Sequence, residues 1–313
     1  MKKKKKIREY WKYFLILPPI AVAVLAAVFI FYQSNFKTYL SPFANQLFFQ
    51  FFQEKGERKL NHLEPAPMVD IVKNRGIYPN RTQTLKIQIA LKVPILIYHY
   101  IEEQDNTKIL AGLYLSPNIF ENQLETLKDH GFQPIFAREL GEVLENGGVL
   151  PKNPIVLTFD DGYADFYYNV FPLLKKYDFK ATLFVIVSAI GQSGYVSENQ
   201  IREMNQSGLV EIGSHTLNHV SLKFIDDEKA KTEIFESKRK LERIISEEVK
   251  SFAYPYGFFI DRDEQLVREA GYLDAFSTYA GLYQKKENIF RLYRLRPEEK
   301  TGDELIRFVS YLK

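Results

Sequence analysis

Ile155-Val156-Leu157-Thr158-Phe159-Asp160-Asp161-Gly162 is a short apolar run that stops abruptly at two carboxylates and a glycine. The run reads as a buried strand, and Gly162 permits a turn sharp enough for both aspartates to reach one mouth. Similar strand-like runs occur at Pro94–Tyr98, Ala181–Val187, Val210–Gly213, Ser251–Tyr254, Ala275–Tyr279 and Phe290–Leu295. Helical signals separate them. Ser116-Pro117 opens one helix and Gly131 closes it, while Ser197 followed by Gln200 makes a capping box. Asp226-Asp227 starts a long charged helix reaching to about Glu248, with Ile234, Leu241, Ile244 and Ile245 on its buried face. Such alternation predicts an α/β fold, a parallel sheet with helices outside, open or closed into a barrel. In these folds the carboxyl ends of the strands hold the site.

Three segments at such ends carry chemistry. The Asp160-Asp161 pair is suited to the first turn of a helix, where the dipole favours anions. It equally suits a division of labour, one carboxylate binding a cation and the other taking a proton from water. In Ser214-His215-Thr216-Leu217-Asn218-His219 the two histidines, at i and i+4, would share one face of a helical turn and could grip one divalent ion. The chain has only five histidines, the others being His62, His99 and His130. Phe252-Ala253-Tyr254-Pro255-Tyr256-Gly257 is either an ordinary strand-ending turn or a turn that aims the Tyr256 amide at a developing oxyanion.

Taken together and in this order, the segments resemble the polysaccharide deacetylase family, the NodB-homology or carbohydrate esterase 4 domain, over roughly Val93 to Pro297. Thr158–Gly162 resembles its first motif, His215–His219 its second and Ala253–Gly257 a form of its third. The resemblance implies a distorted (β/α) barrel of about seven strands. Val93-Pro94-Ile95-Leu96-Ile97-Tyr98-His99-Tyr100 and the Lys128–Phe132 turn are similar to the poly-N-acetylglucosamine deacetylases, permuted members in which an early Tyr-His supplies a histidine found late in other members. No histidine follows His219, so the family's usual late motif is absent. The third motif lacks its usual arginine, with Ala253 or Tyr254 in that place, and Arg294 stands where this subgroup often carries one.

The resemblance implies a hydrolase that removes N-acetyl groups from N-acetylglucosamine polymers and releases acetate. It implies one divalent metal on Asp161, His215 and His219, Asp160 as general base and His99 as general acid. Tyr256 would serve through its amide, and Arg294 would support the base or act as a structural ion-pair residue. Mixed histidine and carboxylate ligands suit zinc, and also iron, cobalt or nickel. A glycan-binding scaffold on a degenerate barrel would be expected to have lost these ligands. A metal hydrolase acting on another amide or ester is the remaining alternative, separable by comparing acetate release from oligomers and from small acetamides.

The chain has 313 residues and no cysteine, which excludes disulfides, thiolate metal sites and thiol catalysis. Lys2–Lys6, Arg8 and Lys12 against Glu9 concentrate +6 in the first twelve residues, leaving −3 elsewhere in a total of +3. The main domain thus has no basic field for nucleic acid. Tyr13–Tyr32 is uncharged over 20 residues, and as a helix it would span roughly 30 Å, a bilayer's hydrocarbon thickness. The expected organisation is a basic cytoplasmic tail at 1–12, a transmembrane anchor at 13–32 rather than a cleaved signal, a juxtamembrane segment or linker at 33–92 and the deacetylase domain at 93–313. The catalytic domain would then lie outside the cell, with an N-acetylglucosamine-containing envelope polysaccharide as partner.

Overall fold

The computed structural model describes residues 90–103 and 111–310. The expected tail, anchor and all but the end of the linker, His62 included, lie outside the described residues. Among the described residues no helix is long and apolar enough to cross a membrane.

The elements are β1 (Leu91–Lys92), β2 (Ile95–Tyr98), α1 (Pro117–Asp129), β3 (Gln133–Ile135), α2 (Ala137–Asn146), β4 (Pro154–Phe159), α3 (Phe171–Tyr177), β5 (Ala181–Val185), α4 (Glu198–Gln206), β6 (Val210–Ser214), α5 (Asp227–Ile245), β7 (Ser251–Ala253), α6 (Asp261–Glu269), β8 (Asp274–Phe276), β9 (Tyr283–Gln284) and α7 (Gly302–Ser310). A curled parallel sheet runs β2-β4-β5-β6-β7-β8, with β3 paired to the start of β4. Strands β2, β5 and β6 are buried at every position, which explains the largely apolar runs of β2 and β5. In β6 the buried Glu211 accepts from the Thr182 and Ser251 hydroxyls at 2.9 and 2.8 Å.

The segment after β9 joins the sheet's two edges. Ser277 N–H donates to the Leu292 carbonyl at 3.0 Å, and Leu292 N–H to Ala275 at 2.8 Å. Three residues on, Leu295 N–H donates to Ile95 at 2.7 Å, and Ile97 N–H to Leu295 at 2.9 Å. Leu292 and Leu295 form isolated parallel bridges with Phe276 and Leu96. The expected strand Phe290–Leu295 is therefore a seam touching each edge at one point.

Helix signals land where the residues place them. Ser116 accepts from Ile119 N–H at 3.3 Å, Ser197 and Gln200 cap each other, and Asp226 accepts from Lys229 N–H at 3.0 Å. Helix α5 ends at Ile245, short of Glu248, because Ser246 turns left-handed at φ 59°. Strand β5 ends at Val185, not Val187, since Val187 N–H leaves the ladder for the Thr216 carbonyl at 3.2 Å.

Candidate active site

Asp160 and Asp161 leave the end of β4 in different directions. Asp161 is left-handed at φ 77°, as is Gly162 at φ 78°. An added Cβ at Gly162 would sit 3.2 Å from Val185 Cγ1, so the turn needs glycine for its backbone and for its space.

Asp160, 3% exposed, receives both arms of the fully buried Arg294: Nη1 to Oδ1 at 2.7 Å and Nη2 to Oδ2 at 2.9 Å. Arg294 Nε donates to the Ser277 carbonyl at 2.8 Å and Nη1 also reaches Thr158 Oγ1 at 3.3 Å, so the guanidinium is fixed from β4 and the end of β8. Burial alone would raise the Asp160 carboxyl, but Arg294 and then His215 outweigh it and hold it below the ordinary carboxylate range.

Asp161 meets the two histidines. His215 Nε2 lies 3.5 Å and His219 Nε2 3.2 Å from Asp161 Oδ1. The histidines are not on a helix, as their spacing suggested. They sit on an irregular loop after β6 that reverses through Thr216 at φ 67° and His219 at φ 55°. Two left-handed residues achieve over four positions what one helical turn would.

The donor set is suited to a cation. Asp161, His215 and His219 each offer one ligand atom, all within 4.8 Å of one another. His215 Nδ1 faces the Ala253 carbonyl at 2.8 Å, which requires a proton there and leaves a lone pair on Nε2. That lone pair points at Asp161 Oδ1, a buried oxygen with no hydrogen bond of its own. Two acceptors facing each other in a buried pocket call for a positive charge between them. Burial raises the Asp161 carboxyl, but His219, His99 and His215 together pull it far below the ordinary range.

His99 follows β2 at the same mouth, in the electrostatic field of Asp161, Asp160 and Arg294. Burial of its ring and the neighbouring Arg296 push its pKa down to about 4. Tyr256 is left-handed at φ 61°, and its ring lies 4.6 Å from that of His219. Burial and the Asp161 charge raise its phenol to about 12.

Asp165, the alternative carboxylate should Asp160 not be the base, is held in a structural contact. It accepts from Ile101 N–H, while Asn169 Nδ2 donates to the Ile101 carbonyl at 2.7 Å. Both come from the π-helical turn Phe166–Val170 and its flank, and together they fix the chain two residues beyond His99. A recess of about 700 Å³ lined by Glu142, Leu150, Lys250 and Leu273 lies at the opposite, amino ends of the strands, away from this chemistry.

A curled parallel sheet with a carboxylate–bis-histidine cluster beside a buried Asp–Arg pair at its carboxyl end defines a site of the water-activating hydrolase class. The polysaccharide deacetylase family model matches residues 147–274. A polysaccharide deacetylase from Bacillus cereus is 30% identical, with TM-score 0.62 over 70% of this chain and 69% of that one. The Streptococcus pyogenes deacetylase PplD, solved with acetate, is 29% identical, with TM-score 0.67 over 71% of this chain and all of that one. The poly-β-1,6-N-acetyl-D-glucosamine N-deacetylase of Staphylococcus aureus is 26% identical over 215 residues, 64% of this chain and 74% of that protein. The chain belongs to the polysaccharide deacetylase family.

Proposed function

We propose that this chain removes N-acetyl groups from N-acetylglucosamine residues of an extracellular or cell-wall polysaccharide and releases acetate. Hydrolytic N-deacetylation of a polysaccharide is the activity of the family. The choice of an N-acetylglucosamine polymer is supported by the likeness to the Staphylococcus aureus enzyme. The observation that carries the reading is the Asp161–His215–His219 cluster lying beside the Asp160–Arg294 pair.

Asp161, His215 and His219 would hold a divalent cation, zinc, iron, cobalt and nickel all suiting the set. When bound, such an ion polarises the acetamide carbonyl and acidifies water. Asp160, kept ionised and aimed by Arg294, takes the water proton. The Tyr256 amide supports the oxyanion from the turn after β7. His99 rests neutral near pH 7, so the proton it hands to the leaving amine is gained during the cycle, supplied by the one Asp160 removes.

The uncharged run 13–32 and the basic residues before it support an anchor in the cell membrane with the catalytic domain outside. Protease added to intact spheroplasts should then digest the chain beyond Tyr32 and spare the lysine-rich end. Activity is tested by acetate release from N-acetylglucosamine oligomers against small acetamides, with and without divalent ion. Ion-dependent release that favours oligomers is expected. Turnover of small acetamides with none on oligomers would defeat the reading.

A further inference from the structure

We infer that Glu233 is a positioning residue for the metal ligands, acting through Asn218 to hold the loop that carries His215 and His219. The inference rests on the reading of Asp161, His215 and His219 as cation ligands.

Glu233 lies on α5, 7% exposed, and it spends both carboxylate oxygens on one residue. Asn218 N–H donates to Oε2 at 2.8 Å, and Asn218 Nδ2 donates to Oε1 at 2.7 Å. Among the described residues no salt bridge reaches Glu233, and its two oxygens are taken by Asn218. Asn218 sits between the two ligands and directly before His219. The loop forms no regular element and reverses at Thr216 and His219, conformations a non-glycine residue holds only when its surroundings insist. Val187 N–H and Ser188 N–H donate to the Thr216 and Leu217 carbonyls at 3.2 and 2.8 Å and hold its first half, before Asn218 and His219. A further local bond, His219 N–H to Thr216 Oγ1 at 3.0 Å, closes the turn on itself. It does not attach the turn to the barrel. The Glu233 fork attaches its second half, at Asn218 beside His219, and a charge-assisted, two-point contact fixes direction as well as distance. His219 differs from His215 in this respect: His215 Nδ1 is oriented by the Ala253 carbonyl, whereas His219 depends on its backbone being delivered correctly.

The chemistry of the fork gives a reciprocal test. Asn218→Asp sets two carboxylates face to face. It also adds a negative charge beside the cation, which by electrostatics alone would tighten binding. A positioning role predicts the reverse, a loss of cation affinity of about 10- to 100-fold, the usual scale for residues that orient ligands. Adding Glu233→Gln to Asn218→Asp restores both bonds, since the Gln oxygen accepts the backbone N–H and its amide donates to the new carboxylate. Glu233→Gln alone should stay within a few-fold of wild type, because a turned Asn218 amide meets it. Glu233→Ala, which removes both acceptors without adding charge, covers the case in which Asn218→Asp does not fold.

The experiment measures Zn²⁺ affinity of the full chain by competition with a chromophoric chelator, and the visible spectrum of the Co²⁺ form. Expected are weakened Zn²⁺ binding and an altered Co²⁺ spectrum in Asn218→Asp and Glu233→Ala, with both regained in the double variant. Unchanged affinity and spectrum in both damaged variants, with only a lowered Tm, would overturn the inference. So would a double variant no better than Asn218→Asp. Failure of wild type to bind Zn²⁺ would overturn the ligand reading, and the inference with it.

Discussion

At the scale of single residues, the two neighbouring aspartates differ because different cations face them. Arg294 meets Asp160 with two parallel bonds, and a lysine would offer one point of charge instead. Arg294→Lys should keep metal and fold but lose turnover on the order of 10²-fold, the scale of a misplaced general base. Arg294→Met leaves a buried carboxylate without its partner, which should cost about 3–5 kcal/mol in denaturant unfolding. Since Arg294 pulls the Asp160 carboxyl down, its removal must let that carboxyl rise, and the acid limb of the pH–rate profile should move to higher pH. Asp160→Asn should bind metal as wild type does and fail in turnover, while Asp161→Asn should lose metal. Elemental analysis of the dialysed variants separates the two, and equal metal loss in both would contradict the assignment of roles.

At the scale of elements, the π-helical turn after β4 stores a titratable contact. Asp165 Oδ1 is buried without a hydrogen bond, and burial raises this carboxyl to about 6. A carboxyl whose folded pKa is raised stabilises the fold below its unfolded pKa, near 4, and loses that contribution as pH climbs through about 6. Asp165→Asn should therefore be the more stable protein at pH 8, by about 2 kcal/mol, with the gap closing below pH 5. A difference in Tm that does not vary with pH would show that the charge is not its origin. The same elements show what a sequence can reveal. Strands β2, β4 and β5 were legible because burial on both faces leaves apolar runs broken by no more than a threonine, whereas β6 carries the buried Glu211 and shows only Val210 and Ile212. Strand β3, three residues with a proline at its centre, carries no such signal. Spacing of four between His215 and His219 was real, but it is met by a loop with two left-handed residues as well as by a helix. The contacts Asp165–Ile101 and Glu233–Asn218 join positions 64 and 15 apart, and no periodicity relates them.

At the scale of the molecule, among the described residues the sheet's edges meet through Leu292–Leu295, a stretch without a continuous ladder. Leu295→Ala empties a site 1% exposed, and it should cost roughly 2–5 kcal/mol by chemical denaturation. Adding divalent ion to metal-stripped protein should raise Tm, since an ion that binds only the folded site shifts the equilibrium toward it. Of the two residues between those leucines on the seam, Arg294 is the one that grips the catalytic carboxylate. Arg294 N–H also donates to the Tyr279 carbonyl at 2.9 Å, so the joint and the ion pair move as one piece. A keystone set at the thinnest course of an arch makes the arch report early on its own failure. Warming should silence this enzyme before it melts. Activity should fall at temperatures where the far-ultraviolet circular dichroism is still native, and the Leu295 and Ile97 amides should exchange with deuterium ahead of those in β5 and β6.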